Sequence, residues 1–270
     1  MPDPTGSSED RPQLRVVLST SSVYPDSTAS GFEAAARLGY DAVEVMVGID
    51  ETSADVDAVR SLSQFHDIPI ASVHAPTLLL TQRVWGTEPW GKLHRSAEMA
   101  LEVGAEVIVV HPPFRWQRDY AKGFVEGIAD LEAEYDLTFA VENMYPWRTG
   151  KREFQAYAPG WDPVVEHYRH VTVDLSHSAT AHQDPVEMLR DLGPRLAHVH
   201  LADGMGSPKD EHLVPGRGSQ PCAAFLEAVA ASDYAGEVVV EVNTRKAADV
   251  ETRESDLLAS LAFARLHASR

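Results

Sequence analysis

The chain has 270 residues, of which 44% are hydrophobic, and a formal net charge of −18 at pH 7. This excess of acidic residues argues against broad electrostatic attraction to nucleic acid or to an anionic membrane surface. No apolar run approaches the roughly 20 residues needed to span a bilayer, and the polar N-terminus does not resemble a signal peptide, so we expect a soluble, cytoplasmic protein without a membrane partner.

Beyond a tail at residues 1–12, which we expect to be disordered, short β-branched runs alternate with longer amphipathic patterns. The short runs have the length and the Val, Ile and Thr content of buried strands. Eight such runs lie at 13–19, 41–47, 69–75, 106–112, 138–144, 170–176, 197–203 and 237–243. Helical patterns lie between and after them, at 30–39, 54–66, 92–104, 124–135, 185–192, 221–233 and 256–267.

Residues at the ends of these patterns support the division. Asp162–Pro163 and Asp184–Pro185 each predict an N-cap followed by a proline in the first helical turn, and Gly39 and Gly104 predict helix C-caps. Eight strand-helix units over about 250 residues are typical of a TIM barrel. We therefore predict one (β/α)8 domain at 13–270. A doubly wound open sheet is the alternative, although no GxGxxG follows the first strand.

Ionisable residues follow the predicted strands one after another. They are His74, His111, Glu142, Asp174, His177, His200 and Glu241, with Asp210 and His212 in the loop after the seventh strand. Because the carboxyl ends of all barrel strands meet at one end of the barrel, these side chains are expected to converge. Buried carboxylates would otherwise repel one another, whereas a divalent cation compensates their charge and accepts nitrogen and oxygen ligands. Cys222 is the only cysteine, so thiolate ligation is excluded.

Two residues near these candidates, His198 and Arg217, each admit a structural as well as a functional role. A single strand-end histidine is more often a hydrogen-bonded core residue than a ligand, and His198 lies one layer deeper than His200 on the same face of its strand. We therefore predict a core role for His198. Arg217, in the glycine-containing loop VPGRG (214–218), could reach a substrate oxygen or remain in a solvent-exposed turn.

The segments SVHAP, VVHPP, AVENM, TVDLSH, HVHLAD, KDEHLVPGRG and VVVEVN resemble the xylose isomerase-like TIM-barrel superfamily. That superfamily contains sugar isomerases and epimerases and the endonuclease IV group of DNA-repair enzymes. Resemblance to the ketose epimerases implies a divalent metal, such as Mn, Co, Zn or Mg, held by Glu142, Asp174, His200 and Glu241. It also implies that the two glutamates transfer protons and that His177 and Arg217 bind substrate oxygens.

Resemblance to the endonuclease IV group implies up to three zinc ions and nine ligands. The matching residues are His74, His111, Glu142, Asp174, His177, His200, Asp210, His212 and Glu241. However, the loop of the second strand, VEVMVGIDET, lacks the Asn- and Arg-containing stretch with which that group enters DNA, and HAPTLLL lacks its tyrosine.

We therefore predict a sugar or sugar-phosphate isomerase or epimerase with one to three divalent ions and a small-molecule sugar substrate, and with nucleic acid disfavoured as a partner. A phosphodiesterase acting at abasic DNA is the alternative, and a barrel that only binds a metabolite is a third. The sequence leaves a homo-oligomer open.

Overall fold

The computed structural model describes residues 13–77, 79–150 and 152–270. The tail predicted at residues 1–12 lies outside the described residues. Among the described residues, no helix combines the length and the apolar character needed to cross a membrane.

The described residues form ten strands. They are β1 (Val16–Ser19), β2 (Ala42–Met46), β3 (Ile70–His74), β4 (Val107–Val110), β5 (Thr138–Glu142), β6 (Trp147–Thr149), β7 (Arg152–Phe154), β8 (Val171–Asp174), β9 (Leu196–Leu201) and β10 (Val238–Val240). Eight of them close into a barrel in the order β1, β10, β9, β8, β5, β4, β3, β2, and every pairing between neighbours in it is parallel. Each barrel strand overlaps one of the predicted runs, so the predicted TIM barrel is confirmed.

Helices surround the barrel. They are α1 (Thr28–Leu38), α2 (Val56–His66), α3 (Pro89–Val103), α4 (Arg118–Lys122), α5 (Phe124–Tyr135), α6 (Leu175–Ala181), α7 (Pro185–Leu192), α8 (Cys222–Ala231) and α9 (Val250–His267). The predicted caps explain several of their ends. Asp184 caps α7 through a hydrogen bond from the Val186 backbone N–H to its Oδ1, at 2.8 Å. Gly39 and Gly104 end α1 and α3 with φ angles of 84° and 76°, in the left-handed region that glycine adopts without strain.

The connection between β5 and β8 corrects one prediction. The helix expected to begin after Asp162 is not formed, because Asp162 instead closes a turn by accepting a hydrogen bond from the Val164 backbone N–H. In the described part of this connection, the regular structure is the antiparallel hairpin of β6 and β7. An Asx turn and a helix N-cap use the same side-chain hydrogen bond, so the dipeptide alone does not distinguish them.

The hydrophobic core lies mainly between the barrel and its helices, where strand residues such as Val43, Ile108 and Phe139 pack as one cluster. Inside the barrel, Val17, Ala42, Ala71 and Val239 form a separate small cluster. Two positions farther along three of these strands, the alternation places Ser19, Glu44 and Glu241 on the same face. The barrel interior is therefore apolar towards the amino ends of its strands and polar towards their carboxyl ends.

Candidate metal centre

The predicted ligands lie together at the carboxyl end of the barrel. His74, Glu142 and Asp174 are the last residues of their strands, whereas His111 and Glu241 come directly after β4 and β10. Seven of the nine candidates are buried, namely His74, His111, Glu142, Asp174, His177, His200 and Glu241, while Asp210 and His212 are partly exposed. The structure thus brings all nine together.

Four of these residues form what we call the central ligand set: Glu142, Asp174, His200 and Glu241. One ligand atom of each lies within 4.8 Å of the others. Nδ1 of His200 is 2.9 Å from Oε2 of Glu241, 3.0 Å from Oε1 of Glu142 and 3.8 Å from Oδ2 of Asp174. Three carboxylates therefore surround one imidazole nitrogen.

The other candidates extend this set on two sides. Nε2 of His111 and Nε2 of His74 lie 2.6 Å and 3.4 Å from Oε2 of Glu142. On the other side, Oδ2 of Asp210 lies 3.1 Å from Nε2 of His177 and 2.9 Å from Nε2 of His212. We call these the first flanking group (His74, His111 and Glu142) and the second flanking group (His177, Asp210 and His212).

Hydrogen bonds from neighbouring residues fix the orientation of the ligands. Ser21 donates its hydroxyl to Oε1 of Glu241 at 2.9 Å, and Ser176 donates to Oδ1 of Asp210 at 2.7 Å. Asn143 accepts the backbone N–H of Asp174 at 2.7 Å. No local pattern in the sequence marks these supporting residues, because they become neighbours of the ligands only in the folded barrel.

Burial and mutual interaction shift the pKa values within the site in opposite directions. Burial raises the pKa of Asp174 to about 6. Burial would also raise the pKa of Glu241, but the nearby His200 outweighs it and holds that pKa at about 2. For His177, burial lowers the pKa, whereas Asp174 and Asp210 raise it more strongly, to about 10. Opposite charges thus outweigh burial at Glu241 and His177, whereas burial outweighs them at Asp174. Strongly shifted pKa values of this kind are typical of functional sites.

The hydrogen bonding of the Asp174 carboxylate indicates whether these residues fit a cation. Oδ2 of Asp174 is buried and accepts no hydrogen bond from any described residue. A buried carboxylate oxygen without a partner costs free energy, and a divalent ion is the partner that a mixed set of imidazole nitrogens and carboxylate oxygens suits. The residues present therefore fit a divalent metal.

Below the central ligand set lies a buried carboxylate that the sequence analysis missed. Glu44 of β2 is fully buried, and its Oε2 accepts hydrogen bonds from Ser72 at 2.8 Å and from Nε2 of His198 at 3.0 Å. The structure thus shows His198 as a hydrogen-bonded core histidine, as predicted. The charged Glu44 in the middle of the otherwise apolar run AVEVMV (42–47) was the signal available in the sequence.

A second missed carboxylate organises the loop that carries Asp210 and His212. Asp203 is fully buried and accepts hydrogen bonds from the backbone N–H groups of Gly204, Gly216, Gly218 and Gln220, at 2.8 to 3.0 Å. A Cβ at Gly218 would lie 2.2 Å from Oδ1 of Asp203, so only glycine fits there. The glycines of VPGRG thus allow the loop to wrap around this carboxylate.

Arg217, predicted to bind a substrate oxygen, has a different partner in the structure. Its guanidinium is half-exposed and lies 2.6 Å from Asp256 of α9. His177, the other predicted substrate-binding residue, lies within the second flanking group, and the backbone carbonyl of Asn143 is 2.8 Å from its Nδ1. Substrate binding by either residue stays a prediction.

Exposed aromatic rings lie in the loops after β4 and β5. The rings of Phe114 and Trp116 stack with centroids 4.6 Å apart, and Trp147 lies 6.0 Å from each of them. Trp116 is 53% exposed and Trp147 is 37% exposed, so both present apolar faces to solvent. Such faces can bind the apolar side of a sugar ring.

The geometry predicts different outcomes for the two histidines of β9. We expect His200→Ala to lose metal binding with the barrel still folded, since His200 belongs to the central ligand set. His198→Ala should keep its metal and lose about 1 to 3 kcal/mol of unfolding free energy, because a buried hydrogen-bonded group is removed. Metal analysis and chemical denaturation of both variants test this, and equal metal loss in both would contradict it.

Comparison with known protein families agrees with this fold. Residues 32–266 match the family described as xylose isomerase-like TIM barrel, so the chain belongs to that family. Its relatives include an uncharacterized protein of Mycobacterium leprae (strain TN), 48% identical over 96% of this chain and all of the relative. An uncharacterized protein of Mycobacterium tuberculosis (strain ATCC 25618 / H37Rv) is 49% identical, with the same coverage.

Solved structures share the fold at lower identity. A D-tagatose 3-epimerase-like protein matches with a TM-score of 0.67 and 23% identity, over 94% of this chain and 99% of the other. The 3-keto-D-glucoside 4-epimerase of E. coli has a TM-score of 0.68 and 15% identity, over 93% and 100%. A D-psicose 3-epimerase has a TM-score of 0.66 and 17% identity, over 94% and 99%.

Proposed function

We propose that this protein is a divalent-metal-dependent sugar or sugar-phosphate isomerase or epimerase. The observation that carries the proposal is the central ligand set, in which Oε1 of Glu142 and Oε2 of Glu241 lie 3.0 and 2.9 Å from Nδ1 of His200. The structural neighbours described as epimerases or epimerase-like support the same reaction class.

The two glutamates are held in different ways, which suits an acid-base pair. Ser21 donates a hydrogen bond to one oxygen of Glu241, which leaves the other oxygen facing His200. Oε2 of Glu142 faces His111, and Oε1 of Glu142 faces His200. Each carboxylate thus has a fixed position, as proton transfer at a defined substrate atom requires.

A divalent ion bound by the central ligand set would supply a Lewis acid that polarises a substrate carbonyl. One glutamate then takes the proton from the carbon beside that carbonyl, and the other returns a proton to the substrate. The exposed faces of Trp116 and Trp147 offer a wall against which the apolar side of the sugar lies. His177 and Arg217 are proposed to bind its oxygens.

A phosphodiesterase acting at abasic DNA is the second candidate, and one observation favours it. The two flanking groups surround the central ligand set, so that all nine predicted ligands are close enough to hold more than one ion. The net charge of −18 opposes binding to a polyanion. The number of bound metal ions therefore helps to distinguish the isomerase or epimerase from the phosphodiesterase.

We expect protein purified without chelator to contain tightly bound divalent metal. Elemental analysis should find about one equivalent if only the central ligand set is filled, and about three if both flanking groups also bind. Less than about a tenth of an equivalent, with no binding of added manganese, cobalt or zinc, would contradict the proposed metal dependence. His267→Ala, a change on the exterior helix α9, is the matched control and should keep the wild-type metal content.

A further inference from the structure

Glu44 is a fully buried carboxylate that the proposed reaction does not use. It belongs to β2, which is separated from β9 by β1 and β10 in the barrel order. Its side chain nevertheless reaches His200 across the barrel interior. Nε2 of His200 lies 3.2 Å from Oε1 of Glu44 and 3.3 Å from Oε2. The hydrogen bond runs to Oε2, whereas Oε1 has no hydrogen-bond partner among the described residues.

The two nitrogens of the His200 ring face different groups. Nε2 faces Glu44, whereas Nδ1 faces Glu142 and Glu241 of the central ligand set. A neutral imidazole carries one N–H and one lone pair, and a carboxylate accepts hydrogen bonds but donates none. Carboxylates thus face both nitrogens. When a divalent ion engages the carboxylates at Nδ1, the carboxylate at Nε2 favours the proton on that nitrogen and leaves the lone pair on Nδ1.

We propose that Glu44 is a positioning residue, which accepts the Nε2–H of His200 and thereby presents the Nδ1 lone pair to the metal. The inference rests on the proposed function, because it requires the central ligand set to bind a divalent ion. A carboxylate behind a ligating imidazole fixes the ring orientation and increases the basicity of the ligand.

Glu44 is itself held in place, as such a role requires. Ser72 of β3 donates to Oε2 of Glu44 at 2.8 Å, and Nε2 of His198 lies 3.0 Å from the same oxygen. These partners come from strands on both sides of the barrel interior. The carboxylate therefore sits in a rigid frame beneath the site.

A metal ion bound directly by Glu44 is the alternative to this positioning role. Glu44, His198 and His200 lie close enough together to hold an ion of their own. In that case both Nε2 atoms would carry lone pairs rather than protons, and Glu44 would be a ligand. The position of the proton on His200 distinguishes this arrangement from a positioning role.

The first experiment uses wild-type protein loaded with zinc. Long-range 1H–15N spectra of the histidine rings should show His200 with Nε2 protonated and Nδ1 bound to zinc, the signal being assigned by its absence in His200→Gln. A proton on Nδ1 with zinc on Nε2 would overturn the inference. This measurement does not depend on whether a Glu44 variant folds.

The second experiment measures zinc affinity by competition with a chelator, in Glu44→Gln and in Glu132→Gln as its matched control. Glu132 is a buried carboxylate of α5 that lies 2.6 Å from Nδ1 of His170 rather than beside the central ligand set. We expect Glu44→Gln to weaken zinc binding by about 10- to 100-fold, whereas Glu132→Gln stays close to wild type. Circular dichroism checks that each variant is folded.

The remaining outcomes distinguish failure of the role of Glu44 from failure of the proposed function. Unchanged affinity in folded Glu44→Gln, with normal binding by the wild type, would overturn the role of Glu44 and leave the proposed function standing. Loss of one extra equivalent of zinc in both Glu44→Gln and His198→Ala would identify Glu44 as a ligand and would also overturn the inference. A wild-type protein that binds no divalent metal would overturn both proposals.

Discussion

Glu142→Gln and Glu241→Gln should each lower the incorporation of solvent deuterium into a sugar product by about 100- to 10,000-fold, the range expected for losing a positioned acid or base. The amide keeps the shape of the side chain but cannot take a proton. A proton held on a glutamate can exchange with solvent before it returns to carbon, so the wild-type product should carry the label. The measurement is mass spectrometry of ketoses, aldoses and their phosphates, incubated with metal-loaded protein in deuterated water.

Both glutamates are also proposed metal ligands, so metal content must be measured alongside, at saturating metal. Glu237→Gln is the matched control, because Glu237 precedes β10 by one residue, at its amino end, and pairs with Arg15 at 2.7 Å. It should retain full exchange. Metal-dependent incision of duplex DNA containing one abasic site, lost in the two active-site variants and without exchange into any sugar, would favour the phosphodiesterase instead.

Asp203→Ala should destabilise the protein by about 3 kcal/mol, because four backbone N–H groups lose the buried charged acceptor that they share. For a chain of this size the melting temperature should fall by roughly 2 to 4 °C for each kcal/mol. Metal affinity should fall as well, because the loop that Asp203 organises carries Asp210 and His212. Thermal unfolding of the metal-free protein measures the first effect and metal competition the second.

Asp191→Ala provides the comparison, since Asp191 is exposed on α7. A surface substitution of this kind is expected to change the unfolding free energy by no more than about 0.5 kcal/mol. A melting temperature for Asp203→Ala equal to that of Asp191→Ala would show that the hydrogen bonds to the loop contribute little. In that case another feature must hold the VPGRG segment.

The sequence predicted the barrel because each strand carries its own local signal. Runs such as EVIVVHP and EVVVEVN are apolar on both faces, and eight of them alternate with helical patterns. The corresponding strands β4 and β10 formed within these runs. The error at Asp162 also has a local cause, since its side chain closes a turn with the hydrogen bond that would cap a helix.

The candidate ligands could be predicted for a related reason. In a parallel barrel every strand points the same way, so a residue at the carboxyl end of any strand reaches the same end of the molecule. His74 and Glu142 are far apart in sequence, but their Nε2 and Oε2 atoms lie 3.4 Å apart in the structure. Their assignment as ligands stays a prediction that metal analysis will test.

The sequence by itself determined the strand order in the chain, the direction of each strand and therefore the shared location of nine ionisable residues, because these follow from local patterns and from the parallel topology. Only the tertiary structure decided the contacts across the barrel and between loops. Glu44 meets His200 across the barrel interior, and Asp203 meets Gly218 through a folded loop. Arg217 pairs with Asp256 because α9 packs beside that loop. Such contacts depend on barrel closure and loop path, to which no local pattern corresponds.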